Sequence, residues 1–171
     1  MKHILCTNKL AGLISVKPVL NLVTENTERW NAHLFSIAGR KCILFTEKET
    51  CYSVLLVDVL KKDLKDINSL FYNAFICQLN TDKIELTPNL SYVDKINCEL
   101  TLYRTDNDRK TIGVMNSLIL DLKSYCDTKF DKIAAARYFG QNIINGIPIG
   151  SRKFANAKKM MQAKINRIVE E

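Results

Sequence analysis

Three short apolar runs separated by polar turns form the clearest hydrophobic pattern in this chain. The runs occupy residues 33–38, 41–46 and 51–57, and they are rich in aromatic and β-branched side chains. Residues 39–40 separate the first two runs, and residues 47–50 separate the second from the third. Runs of this length and composition, with tight polar breaks between them, predict an antiparallel β-meander.

Two longer segments change the apolar period from two residues to three or four. In residues 60–79 and 110–126, apolar side chains recur at helical spacing and polar side chains take the opposite side. This pattern predicts amphipathic helices that pack on a sheet. Short strands are predicted at residues 3–7 and 99–103. The predicted fold class is α+β, with an antiparallel meander sheet packed by two long amphipathic helices and a basic helical C-terminal segment.

Charge is distributed unequally along the chain. Among its 171 residues, 25 are Lys or Arg and 18 are Asp or Glu, which gives a net charge of +7. Residues 1–127 hold 16 basic and 15 acidic side chains, whereas residues 128–171 hold 9 basic and 3 acidic ones. We therefore predict an α+β domain over residues 1–127 and a basic helical extension over 128–171 that packs on or beside it.

The basic excess is concentrated in the last predicted helix. Ser151 is a favourable N-cap residue, which predicts that the helix starts there. No acidic residue occurs from Arg152 to Arg167, and the cations fall mostly opposite the apolar side. Such a face either contacts phosphates or is a solvated polar surface whose late cations suit the helix dipole. The candidate nucleic-acid-binding residues are Arg152, Lys153, Lys158, Lys159, Lys164 and Arg167.

His33 opens the first run of the meander, and we expect it to share a face with Phe35 and Ile37. A register that brought it beside two cations and a tyrosine would combine a base, a phosphate clamp and a proton donor for RNA cleavage. The alternative is a structural histidine at a sheet edge. The conditional catalytic set is His33, Arg40, Lys41 and Tyr52.

A candidate anion site lies where the strand at 99–103 leads into the second long helix. Arg109 and Lys110 stand at the helix start, where exposed backbone N–H groups favour anions. Ordinary helix capping is the alternative. The sequence contains no metal-ligand cluster, glycine-rich phosphate loop or nucleophile elbow. No metal and no cofactor is therefore predicted, and the sequence leans against an enzyme.

Cysteine placement and hydropathy indicate the environment of the protein. The six cysteines form no Cys-x-x-Cys pair and lie mostly within apolar runs, so we expect reduced and mostly buried thiols. No apolar stretch reaches the roughly 18 residues of a membrane span. Charge interrupts the first residues too early for a signal peptide. A cytoplasmic protein without membrane contact is predicted.

Four segments occur in an order and spacing that resembles a known family. They are Cys6-Thr7-Asn8-Lys9-Leu10, Trp30-Asn31-Ala32-His33-Leu34, Gly39-Arg40-Lys41, and Arg104-Thr105 leading to Arg109 and Gly113-x-Met115-Asn116. Over roughly residues 1–125, this set resembles a small bacterial family, domain of unknown function 6933. The resemblance implies a bacterial, cytosolic or mobile-element context and no particular chemistry. It directs attention to Trp30, Arg40, Lys41, Arg109 and Asn116.

Three functions are compatible with these features. A non-enzymatic module that binds nucleic acid through the basic C-terminal helix is our leading prediction, with RNA and DNA equally open. A small toxin-like ribonuclease is the first alternative. A protein–protein adaptor or inhibitor, whose terminal helix meets an acidic partner, is the second.

Overall fold

A computed structural model describes residues 2–16, 28–85, 100–150, 153 and 155–170. The strands in these ranges are β1 (Lys2–Cys6), β2 (Glu28–Ile37), β3 (Arg40–Glu47), β4 (Ser53–Val57), β5 (Leu100–Arg104), β6 (Pro148–Ile149) and β7 (Ala155–Asn156). The helices are α1 (Asn8–Ala11), α2 (Ile67–Thr81), α3 (Arg109–Asp127), α4 (Lys132–Asn142) and α5 (Ala157–Glu170), with 3-10 turns at Asp63–Asp66 and Ile144–Gly146.

Five strands form one mixed sheet in the order β4-β3-β2-β1-β5. The α+β class is confirmed, and β2, β3 and β4 form the predicted antiparallel meander. The β2–β3 hairpin turns at Ala38 and Gly39, whose φ angles are 47° and 77°. Positive φ at both positions matches the twist of the flanking strands, and glycine adopts it without steric cost. β1 lies between β2 and β5 and pairs in parallel with both, which local patterning did not predict.

Strand alternation gives this sheet two apolar faces. On the first, which we call the α2 face, Trp30 and Phe45 pack against Phe71 and Phe75 of α2. On the second, the α3 face, Phe35 and its neighbours on β2 and β3 pack with α3 and α4. The two long predicted helices therefore cover opposite sides of the sheet.

The chain after residue 127 contributes to both apolar faces. Phe139 of α4 is buried in the cluster on the α3 face. Met161 and Ile165 of α5 are buried in the cluster on the α2 face. The extension over residues 128–171 therefore packs on both sides of the sheet, while its separation as a unit at residue 127 stays a prediction.

The last helix begins later than its sequence predicted. α5 starts at Ala157, so the expected start at Ser151 is wrong, and Ser151 itself lies outside the described residues. The Asn156 side chain provides the cap, because its Oδ1 accepts the Lys159 N–H at 2.9 Å. Asparagine satisfies a free N–H at a helix start as well as serine does, and β7 occupies the residues just before it.

Gly140 lies in α4 at the point where this helix crosses Leu55 of β4. A Cβ at Gly140 would lie 2.9 Å from Leu55 Cδ2 and 3.0 Å from Leu55 Cβ. Packed interiors leave little room for such a shift. We expect Gly140→Ala to lower the free energy of unfolding by about 1–3 kcal/mol, measured by chemical denaturation.

Gly113→Ala is the matched control for this prediction. Gly113 is exposed in the second turn of α3, and among the described residues no atom outside its own helix backbone and chain neighbours lies within 4 Å of a Cβ built there. Alanine is the better helix former, so this variant should gain up to about 1 kcal/mol. If the two substitutions changed stability in the same direction, the close contact with Leu55 would not explain the effect at Gly140.

Candidate functional site

Two of the six cations predicted to contact nucleic acid form ion pairs with acidic side chains at and just after the end of β3. Lys164 Nζ lies 2.9 Å from Glu47 Oε1 and 3.1 Å from Glu49 Oε2, and Arg167 also pairs with Glu49. Glu47 is the last residue of β3, and Glu49 follows in the turn to β4. This ion-pair cluster therefore ties α5 to the meander and balances the charge of Lys164 within the protein.

The pair formed by Lys164 and Glu47 is largely removed from water. The exposed fractions of the two side chains are 11% and 2%. Glu47 Oε2 also accepts the N–H and the hydroxyl of Thr50, both at 2.7 Å. Burial by itself lowers the pKa of Lys164, but the carboxylates of Glu47, Glu28 and Glu49 raise it above its usual value. The lysine therefore remains charged in a structural contact.

The other described cations of the set lie at the start of α5. Lys153 and Lys159 are exposed and Lys158 is half-buried. Among the residues that the structure describes, no carboxylate lies within 4 Å of any of the three. Arg152 lies outside the described residues. We call Lys153, Lys158 and Lys159 the terminal basic face.

The conditional ribonuclease set is divided between the two faces of the sheet. His33 pairs with Leu44 and lies on the α3 face near Phe35, as predicted. Tyr52 lies on the α2 face, where its hydroxyl donates to Asp82 Oδ2 at 2.6 Å. The sheet therefore separates the expected base from the expected proton donor.

Arg40 and Lys41 also point to different sides of the hairpin, because successive strand residues alternate. Arg40 pairs with Ile37 beside the hairpin turn, and its guanidinium lies 3.6 Å from Asp58. Lys41 pairs with Ser36 on the other face. This register does not form a phosphate clamp beside His33.

The Arg109–Lys110 candidate lies at a helix start that an acidic side chain already caps. Asp108 accepts the Lys110 N–H at 3.1 Å through Oδ1 and the Thr111 hydroxyl at 2.7 Å through Oδ2. Burial alone raises the pKa of Asp108, but the hydrogen bonds from Thr111 and Lys48 bring it below its usual range. The Asp108 carboxylate thus takes the backbone position predicted for an external anion.

A polar stripe that sequence patterns did not predict runs along the α3 face of β1 and β2. It consists of His3, Thr7, Asn31 and His33, which we call the β1–β2 polar stripe. Among the residues that the structure describes, no hydrogen-bond partner is found for six buried atoms: both ring nitrogens of His3, both amide atoms of Asn31, Thr7 Oγ1 and His33 Nδ1. His3 is 4% exposed and Asn31 is 2% exposed. Polar atoms of this kind are rare in native proteins and call for an explanation.

Parallel register makes two residues of the stripe, Thr7 and His33, neighbours. Leu5 of β1 pairs with Asn31 of β2, and the Thr7 N–H continues the ladder by donating to Ala32 O at 3.0 Å. Thr7 therefore lies beside His33, about one strand spacing of 4.8 Å away. The carboxyl end of β1 brings a hydroxyl and an imidazole to the same position.

His33 lies where this stripe meets positive charge. Its side chain is half-buried. Burial lowers the pKa of His33, and the positive charges of Lys9 on α1 and Lys123 on α3 lower it further. Both effects favour the neutral imidazole, whose Nδ1 has no hydrogen-bond partner among the described residues.

A known protein family matches the part of the chain that contains most of these helices and strands. The profile of a family described as a domain of unknown function (DUF6933) matches residues 3–160. The chain belongs to this family. The DUF6933 match confirms the resemblance and extends it beyond residue 125 to include α4 and the first residues of α5. No curated protein and no solved structure matches the chain.

The residues that carry the resemblance have different structural positions in this DUF6933 chain. Trp30 is fully buried on the α2 face, and its indole N–H donates to Glu28 Oε1 at 3.2 Å. Two of the segments, residues 6–10 and 30–34, meet in space where Thr7 lies beside His33. The remaining positions, all on the surface, are Arg40, Lys41, Arg109 and Asn116.

The His, Cys, Asp and Glu side chains of the DUF6933 chain show no arrangement typical of a metal site in its described ranges. The described residues contain no group of three or more His, Cys, Asp or Glu placed to hold a metal ion. Five cysteines are described, all unpaired, and Cys77 alone among these five is exposed; Cys98 lies outside the described ranges. Burial raises the pKa of Cys6 to about 12, so this thiol stays protonated. Within the described ranges, no helix combines the length and apolarity needed to cross a bilayer.

Proposed function

We propose that this DUF6933 chain is a non-enzymatic module that binds nucleic acid through its terminal basic face. A contrast within the C-terminal segment carries the proposal. Lys164 and Arg167 pair with acids, whereas Lys153, Lys158 and Lys159 have no carboxylate within 4 Å in the described part of the chain. The net charge of +7 favours association with a polyanion. A bacterial cytoplasm, where RNA and DNA are both accessible, is the setting we propose.

The position of two lysines at the helix start adds support. Lys158 and Lys159 lie in the first turn of α5, which contains no acidic residue. The positive end of the helix dipole disfavours cations in this turn, so helix stability does not explain their placement. A bound phosphate would reduce this repulsion, and it would lie close to the N–H groups that phosphates use at helix starts.

The two alternative functions receive less support. A ribonuclease of the predicted kind needs His33 and Tyr52 in one site, and these residues lie on opposite faces of the sheet. An adaptor for an acidic protein would use the same exposed lysines as a nucleic acid would. A binding experiment must therefore separate a phosphate polymer from a carboxylate polymer.

Fluorescence anisotropy of the full chain with labelled single-stranded RNA and duplex DNA tests the proposal. Three phosphate contacts predict a slope of about −2.7 for the logarithm of duplex affinity against the logarithm of salt concentration. Affinity should then fall roughly 40-fold between about 50 and 200 mM salt. The double variant Lys158→Glu/Lys159→Glu should bind at least about tenfold more weakly.

Lys61→Glu/Lys62→Glu is the matched control, because it makes the same charge change at two exposed lysines outside α5. Equal losses in the two double variants would show that overall charge, and not the terminal basic face, governs binding. Poly-glutamate serves as the competitor. A flat salt response, or displacement of the nucleic acid by an equal concentration of poly-glutamate, would count against nucleic acid and favour the adaptor alternative.

A further inference from the structure

The β1–β2 polar stripe carries an energetic cost that the fold alone does not explain. Six buried N and O atoms of its four side chains have no hydrogen-bond partner within the described part of the chain. Each such group costs about 1–3 kcal/mol when it stays unsatisfied. Clusters of buried polar groups in native proteins hold ordered water, an ion or a ligand. A polar occupant would therefore lower the free-energy cost of the stripe.

The end of the stripe at His33 is the part that a ligand can reach. His33 and Thr7 are half-buried. Asn31, two residues before His33 on the same face of β2, is fully buried. Lys9 and Lys123 are exposed, and both lie close enough for their charges to act on His33. The Thr7 hydroxyl and the His33 imidazole thus flank one half-open position on the α3 face, within range of the positive charges of Lys9 and Lys123.

We propose that this position binds a small oxyanion of the phosphate type, either free or as the terminal group of an organic molecule. Each surrounding group can donate a hydrogen bond: the Thr7 hydroxyl, the His33 ring and the ammonium groups of Lys9 and Lys123. Bonds from charged donors to an oxyanion are short and strong. In an organic ligand, polar groups attached to the phosphate would meet the amide of Asn31.

The positive charges of Lys9 and Lys123 disfavour a cation at this position. Neither Lys9 nor Lys123 pairs with a carboxylate within 4 Å among the described residues, so both add uncompensated positive charge. A metal ion would need carboxylates or several imidazoles around it. His33 is the one imidazole here, because His3 lies four residues before Thr7 along β1, about 13 Å away.

The oxyanion site is independent of the terminal basic face. The stripe lies on the α3 face of the sheet, whereas α5 packs through Met161 and Ile165 on the α2 face. The inference therefore goes beyond the proposed nucleic-acid function and does not rest on it. Lys158→Glu/Lys159→Glu should leave small-anion binding unchanged, so the two proposals fail separately.

NMR tests this proposal directly, because the chain contains only two histidines. In a proton–carbon correlation spectrum of the full chain, the His3→Gln variant assigns the two imidazole Cε1–H signals. Inorganic phosphate titrated through the millimolar range should move the His33 signal to saturation and leave that of His3 in place. The pKa of His33 should rise, because a bound anion favours the charged imidazolium over its neutral form.

Parallel titrations with AMP and adenosine distinguish the sources of the phosphate group. Tighter binding of AMP than of inorganic phosphate would indicate an organic phosphate whose polar body extends toward Asn31. Equal affinities, with no response to adenosine, would indicate a free oxyanion. An unmoved His33 signal in both the phosphate and the AMP titrations would overturn the proposal and leave water as the occupant.

Thr7→Val and Lys123→Gln test the assigned donors. Each should weaken phosphate binding by about tenfold, the loss expected for a hydrogen bond to a charged group. Removal of an unpartnered hydroxyl should leave the stability of the Thr7→Val variant unchanged or raised, which a structural role for this hydroxyl would not allow. Lys65→Gln, at an exposed lysine outside the site, is the matched control. Wild-type affinity in both donor variants would contradict the assignment.

Discussion

Replacement of Lys164 by alanine is expected to lower the free energy of unfolding by about 3–5 kcal/mol. The substitution leaves Glu47, whose side chain is 2% exposed, as a buried charge without its cation. Thr50 continues to hold the carboxylate in place, so Glu47 cannot easily turn toward water. In a chain of 171 residues, this loss corresponds to a fall of about 10 °C in melting temperature. Chemical denaturation followed by circular dichroism measures it.

Arg167→Ala is the control, because Arg167 and its partner Glu49 are both more than half exposed. Exposed ion pairs contribute about 0–1 kcal/mol, so equal losses in the two variants would contradict a buried role for Lys164. The pKa of Lys164 is raised above the usual 10.5. Its contribution to stability is therefore fully present below that usual value and is lost as pH rises through the raised one.

Replacement of Asn145 by alanine should cost about 3 kcal/mol or more. Asn145 is 1% exposed, and its side chain accepts the Ser53 N–H at 2.8 Å. Its amide donates to Ser53 O at 2.9 Å and to Asp82 Oδ2 at 3.1 Å. Alanine leaves buried polar groups without this partner, each at a cost of about 1–3 kcal/mol. Chemical denaturation gives the total loss, and hydrogen exchange should show faster exchange at the Ser53 amide.

Asn142→Ala provides the same substitution three residues earlier in the chain. Asn142 is exposed, and its side chain donates to Tyr138 O within α4. A surface change of this kind should alter stability by less than about 0.5 kcal/mol. A comparable loss in both variants would mean that the contact with Ser53 is not the source of the effect.

Local periodicity was sufficient for the meander and the long helices. The apolar pattern over residues 110–126 corresponds to α3 at Arg109–Asp127, because each turn of an amphipathic helix repeats the same signal. The pattern over residues 60–79 corresponds to a 3-10 turn followed by α2 at Ile67–Thr81. The third meander strand starts at Ser53 and not at Cys51, because Cys51 takes a φ of 58° in the turn.

Local periodicity could not predict ion pairs between segments that are distant in the chain. Lys164 bonds to Glu47, which is 117 residues away in the chain. A cation opposite the apolar side of a helix suits water, nucleic acid or a carboxylate from a remote turn equally well. The position of a lysine on the helix therefore does not show which of these three it contacts. For this reason Lys164 and the exposed Lys159 were both predicted to contact nucleic acid.

The polar stripe left a partial signal in the sequence. Asn31 and His33 occupy alternate positions of a strand, on the same side as Phe35, where the apolar pattern of a core face predicts apolar residues. Breaks of this kind concentrate at functional sites. His33 was singled out as a possible base at the start of a strand, and its neighbour Thr7 became visible only with the register of β1 and β2.

The central place of β1 also has a consequence for how the protein is made. Of the five strands in the main sheet, β1 leaves the ribosome first, and its neighbour β5 follows roughly 100 residues later. Because synthesis adds about 5–20 residues per second, the edge of β1 that pairs with β5 stays unpaired for about 5–20 s. Unpaired strand edges associate with other chains. Translation is therefore the period in which this topology leaves the chain most open to aggregation.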